Sequence, residues 1–118
     1  MFNYEESINI LVNKFPKLKL IYEDNIDDYE DLPYVFYESV FVKYIINTIH
    51  LHNEVELSII FNFVEDLLLN GDEKARNLVE VAVIESLYYE KDFIEFNKFL
   101  SKFYGELTRK SFEACIAK

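Results

Sequence analysis

Two glycines and two prolines in 118 residues leave this chain few places at which a helix can be broken. Gly and Pro are the strongest local punctuators of regular structure, and between them the apolar residues recur at helical spacing nearly throughout. An all-α fold follows. Asn3 and Glu6 have the spacing of a capping box, and Ile8, Leu11, Val12 and Phe15 form one stripe before Pro16, so a first helix is expected over about 4–15. Residues 17–23, KLKLIYE, alternate too briefly to suggest a sheet and read as a connector. Pro33 sets the start of a second, aromatic helix through Tyr37, Phe41, Tyr44, Ile45 and Ile49 to about Leu51.

Asn53 is placed to cap a third helix, whose stripe Leu57, Ile60, Phe61, Val64, Leu67 and Leu68 stops at Asn70-Gly71. Asp72 then opens a fourth. Residues 78–84, LVEVAVI, are apolar at every position except Glu80, which predicts burial on nearly all sides. Their β-branched content suits a strand, but residues 72–88 contain no breaker, and Ala75, Leu78, Val79 and Ala82 keep helical spacing. Phe93, Phe96, Leu100 and Phe103 make another amphipathic helix, and Gly105 separates it from a last one carrying Leu107, Phe112 and Ile116. The expected architecture is a single-domain bundle of five to six helices, partly arranged as stacked helical hairpins, with no fixed-period repeat. A chain of this length buries roughly two thirds of its unfolded surface, and eleven Phe and nine Tyr supply a core without disulfide or metal.

The net charge of −10 is unevenly placed: residues 1–66 hold 13 acids against 4 bases, residues 67–118 hold 9 against 8. Residues 22–38, YEDNIDDYEDLPYVFYE, carry seven carboxylates and five aromatic rings without one Lys or Arg. A charge aimed in this way favours meeting a basic partner over mere solubility. It also argues against direct nucleic-acid binding, which needs a basic footprint to displace counterions. Calcium coordination is not expected, because the acids lack the ligand spacing and the glycine of a calcium loop. The competing reading is a solvated linker. Interleaved tyrosines favour a protein-binding patch, since Tyr offers apolar area with a hydroxyl that stays satisfied at a wet interface. The candidate contact residues are Tyr22, Asp24, Asp27, Asp28, Tyr29, Glu30, Asp31, Tyr34, Tyr37 and Glu38, with Tyr37 the ring that could equally belong to the core.

Catalysis has little support: the chain has no Gly-rich phosphate loop, no GxSxG elbow, no HExxH and no evident Cys–His pair. Carboxylates such as Glu65 with Asp66, or Glu80 with Glu85, are expected to make structural polar contacts rather than acid–base pairs. His50, His52, Glu54 and Glu56 form HLHNEVE, but residues two apart on a helix point to different sides and do not converge on a metal. Cys115 is expected to be a buried small hydrophobe. The first fifteen residues lack a basic leader pattern, and no apolar run approaches the ~18 residues of a membrane span, so cytoplasmic residence without a membrane partner is the expectation. No cofactor is expected.

Two blocks, DLPYVFYESVFVKYI at residues 31–45 and FNFVEDLLLNGDEKARNLVEVAVIESL at residues 61–87, carry a resemblance. The second has the pattern F-x-F-hydrophobic-E-x-L, a Gly-Asp turn, an Asn and a hydrophobic run ending in E-x-L. It is similar to small, acidic, helical bacterial immunity proteins associated with polymorphic and contact-dependent growth-inhibition toxins. The resemblance implies a helical fold, no enzymatic residues and stoichiometric binding to a toxin domain of undefined activity. Charge narrows the expected partner to a basic domain such as a nuclease, whose phosphate-binding cleft an acidic surface can occupy. The alternatives are a generic helical interaction module and an acidic nucleic-acid mimic that inhibits a host nuclease. Twenty aromatic residues leave monomer and homodimer both open.

Overall fold

The computed structural model describes residues 2–117, and most helix starts within it coincide with a side chain able to satisfy or dispense with a first-turn N–H. Eight helices are present among the described residues: α1 (residues 4–14), α2 (Pro16–Asp24), α3 (Ile26–Tyr29), α4 (residues 33–50), α5 (Glu54–Asn70), α6 (residues 73–88), α7 (residues 93–103) and α8 (Glu106–Ile116). The Asn3 side chain accepts from the Glu6 amide at 3.1 Å, Asn53 from Glu56 at 3.2 Å and Asp72 from Ala75 at 2.8 Å, and Pro33 takes the first turn of α4. Each cap removes an orphan donor. No strand occurs among the described residues; an isolated parallel bridge joins Phe2 to Gly71.

The expected count of five to six helices is too low, and the discrepancy lies in residues 16–29. Pro16 does end α1, but it does so by occupying the first turn of α2, where a missing N–H costs nothing. The stretch expected to be a connector is therefore helical. Leu18 is buried and Tyr22, four residues on, is half-buried, a narrow inner stripe that the alternation of Leu18, Leu20 and Tyr22 disguises. A single-turn helix, α3, then follows.

Besides 3-10 turns at the start of α1 and the end of α7, two helices depart from α-helical pairing in their interiors. Residues Tyr37–Phe41 of α4 and Val79–Glu85 of α6 have i→i+5 pairing, and these two wide segments pack against each other. Their buried side chains, Tyr37, Val40 and Phe41 against Val79, Ala82, Val83 and Ile84, lie in the core. The strand-like run is thus helical, with i→i+5 pairing over most of its length. Burial is less complete than the sequence predicts: Glu80 is exposed and Val81 is 41 % exposed.

Fully buried Phe36, Tyr37, Phe41 and Phe61 mark the middle of the core, with Phe15, Tyr37 and Phe63 around Phe41 at centroid distances of 5.6, 5.7 and 5.9 Å. At the other end Tyr104 stacks on Phe112 at 4.8 Å and meets Phe61 at 5.2 Å. Cys115 is buried in α8, as expected of a small hydrophobe, whereas Ile116, expected in the stripe of this helix, is 57 % exposed. The Glu65 carboxylate on α5 accepts the Leu107 amide at 3.0 Å, the Thr108 amide at 2.9 Å and the Thr108 hydroxyl at 2.8 Å. Burial pushes its pKa up, but those three bonds and the Arg109 charge outweigh it and hold the carboxyl below the usual range.

Buried hydroxyls give the fold an alkaline limit. Tyr37 donates to the Ser7 carbonyl at 2.7 Å, Tyr104 to Asn97 at 2.7 Å and Tyr44 to Glu56. Burial raises all three pKa values, and in Tyr44 the bond to Glu56 raises it further. These groups stay protonated in the fold while an unfolded chain ionises them near pH ~10. Because the folded pKa is the higher one, the stabilisation is complete below pH ~10 and is lost as pH rises beyond it. Thermal melts should therefore show the melting temperature falling above pH ~10. Tyr37→Phe should cost about 1 kcal/mol at neutral pH and flatten that fall; an unchanged alkaline slope would contradict this account.

Candidate interaction surface

Glu23, Asp24, Asp27, Asp28, Glu30, Asp31 and Glu38 are all exposed. Ion pairs among the described residues join Lys102 to Glu54 at 2.8 Å and Lys110 to Glu106 at 3.2 Å, so none involves these seven carboxylates. The backbone beneath them is ordered. Asp28 N–H donates to Asn25 at 2.9 Å, Glu30 N–H to Ile26 at 2.8 Å and Leu32 N–H to Tyr29 at 3.0 Å, and the Asn25 side chain donates to the Ile21 carbonyl at 2.9 Å. Asp31 turns the chain between α3 and α4 at φ 59°, a left-handed conformation that Asp tolerates better than most residues. Five of the acids thus sit on helices, Glu23 and Asp24 on α2, Asp27 and Asp28 on α3 and Glu38 on α4, and Glu30 and Asp31 lie in the hydrogen-bonded turn between α3 and α4.

The tyrosines divide. Tyr22 and Tyr29 are half-buried and meet the buried Phe36 ring edge-on at 5.4 and 5.1 Å, one from α2 and one from α3. Rings held in this way lose little freedom on contact with a partner. Burial raises the Tyr22 hydroxyl pKa, and the charges of Glu30 and Asp31 add to the shift. Tyr34 lies beside Tyr4 at 6.1 Å and its hydroxyl accepts from the Asn77 side-chain amide at 2.6 Å. Tyr34 also borders an open recess of about 780 Å³ with Tyr4, Lys74, Arg76, Asn77 and Glu80. Tyr37 has to be removed from the expected contact set: it is 0 % exposed, and the same helical stripe that gave it an aromatic neighbour places it in the core.

Aliphatic side chains join the surface without a sequence signal to reveal them. Leu20, Ile21, Ile26, Leu32 and Val35 are 65, 40, 43, 46 and 42 % exposed. Exposed apolar area among unpaired charges has the composition of a contact surface. His50 ends α4, and His52, in the turn before α5 at φ 51°, meets the Phe99 ring at 5.5 Å. No group of three or more His, Cys, Asp and Glu side chains among the described residues is arranged to hold a metal. Glu80 is exposed and Glu85 half-buried, while Asp66 accepts from the Asn70 side chain at 2.6 Å. No helix among the described residues is long and apolar enough to cross a membrane.

Fold and surface together define an all-α protein with an acidic face whose carboxylates make no ion pair among the described residues. The chain belongs to the family described as a domain of unknown function, DUF7674, whose model matches residues 8–117. No curated protein and no solved structure matches it.

Proposed function

We propose that this chain is a non-enzymatic immunity protein that neutralises a cognate basic toxin domain, such as a nuclease, through the face formed by residues 22–38. The observation that carries the reading is the concentration of seven exposed carboxylates, in no ion pair among the described residues, on short helices and a turn that also expose Ile21, Ile26, Leu32 and Val35. The likeness of residues 31–45 and 61–87 to toxin-associated immunity proteins supports it. Tyr22, Tyr29 and Tyr34 supply anchored contact area, while the acids set encounter rate and orientation.

The test begins with capture of the partner from the organism's own lysate at low and moderate salt, followed by titration of the purified partner domain. Changing Asp27, Asp28, Glu30 and Asp31 together to Lys is expected to weaken binding about tenfold to a hundredfold at low salt. The melting temperature should fall only by what Lys costs over Asp at the left-handed position of residue 31, since these side chains make no ion pair among the described residues. Retention of affinity and of protection against the toxin by that variant would overturn the proposed face.

A further inference from the structure

The charges of α2 run against its own dipole. Lys17 and Lys19 stand near its N-terminal end and Glu23 and Asp24 at its C-terminal end, the reverse of the arrangement that a helix favours. None of these four makes an ion pair among the described residues. Lys17, Leu20, Ile21 and Asp24 are spaced i, i+3, i+4, i+7 and so lie on one stripe, all exposed, while Leu18 and Tyr22 turn inward. The stripe is basic at one end, apolar in the middle and acidic at the other.

The segregation continues beyond the helix. Lys14 and Lys17 border one recess, of about 540 Å³, and Lys17 and Lys43 border the next, of about 370 Å³. These are three of the four bases in residues 1–66, linked through two recesses that both reach Lys17 at the N-terminal end of α2. Past its C-terminal end come Asp27, Asp28, Glu30 and Asp31.

We propose that this face of α2 is a self-complementary surface on which a second copy of the chain docks, antiparallel, about a two-fold axis. Lys17 of each copy meets Asp24 of the other, and Leu20 packs on Ile21 across the axis. An isologous contact requires a patch that complements itself after a two-fold rotation, which this order of charges does. The second copy also sets an opposed dipole beside α2 and brings an acidic end to the unpaired lysines. Since the contact shares Asp24 and Ile21 with the acidic face, a basic partner and a second copy would compete for it.

Sedimentation of the full chain over a wide concentration range, at ionic strengths of about 0.02 M and about 0.5 M, tests this. The expected result is a dimer at low salt whose dissociation constant rises about tenfold or more at high salt. Lys17→Glu and Asp24→Lys should each raise that constant at least about tenfold, because the two-fold axis counts every change twice. An equimolar mixture of the two variants should recover the wild-type constant, since each then supplies what the other lacks. Thermal melts of both variants, whose altered side chains are exposed, verify that each remains folded. A wild-type chain that stays monomeric, a dimer indifferent to either reversal, or a mixture that fails to re-associate overturns the proposal.

Discussion

Glu65→Ala is expected to lower folding stability by about 2–4 kcal/mol, although it removes one half-buried polar side chain from a helix surface. The N-terminal amides of a helix need acceptors, and α8 opens at Gly105, which has no side chain to provide one. Glu65 supplies the cap from another helix, taking two amides and the hydroxyl of Thr108, itself 0 % exposed. Its negative charge also sits at the positive end of the α8 dipole. Glu65→Gln keeps an acceptor and should cost less, about 1–2 kcal/mol. Because the native carboxyl titrates below its unfolded range, its contribution is present above pH ~4.3 and is lost as pH falls through the lower folded pKa. The Gln variant should therefore lose stability less steeply in acid. Gly105→Ala tests the same clamp from the other side, since a Cβ there would overlap the Glu65 carboxylate. Denaturant unfolding of both single variants and the double should be strongly non-additive. Simple additivity would mean that the two positions act independently and the clamp is not what holds α8.

Phe41→Ala should cost about 3–5 kcal/mol, at the upper end of single substitutions. Its ring is 0 % exposed and is approached by Phe15 of the α1–α2 junction, Tyr37 of the same helix and Phe63 of α5. It lies where the wide segment of α4 packs on that of α6, so the space left behind is lined from several elements and cannot close by moving one of them. Phe41→Leu keeps most of the volume and should cost less than about 2 kcal/mol. Equilibrium urea unfolding separates the two; an Ala variant within 1 kcal/mol of wild type would show that this junction is not the centre of the core.

What the sequence makes readable here is what acts over a few residues. Asn3, Asn53 and Asp72 cap within three residues of their own position, and Pro33 needs only its own ring to favour a first turn, so those starts can be placed without tertiary knowledge. Pro16 misleads because a helix end and a helix start one residue apart leave the same local mark. Periodicity detects that residues 78–84 are helical, but an i→i+5 turn and an i→i+4 turn differ by less than a short apolar run can register. Glu65 meets Thr108 across 43 residues, and nothing near either one names the other. At the candidate surface, the absence of Lys and Arg from residues 22–38 made the exposed acids legible. The outward turn of Leu20, Ile21 and Val35 depends on which side of each helix the rest of the molecule covers, and so does the inward turn of Tyr37.

One helix carries much of the polar fastening. Along and just beyond α5, Glu56 holds Tyr44, Glu54 holds Lys102, Glu65 holds α8, and the turn after Asn70 holds the backbone of Phe2 and Tyr4. The acids of residues 23–31 share in none of this. On the proposed function, selection would reach the two sets through different quantities, folding stability for one and recognition for the other, and the acids that face outward would be free to change with whatever the protein meets while the architecture beneath them stays the same.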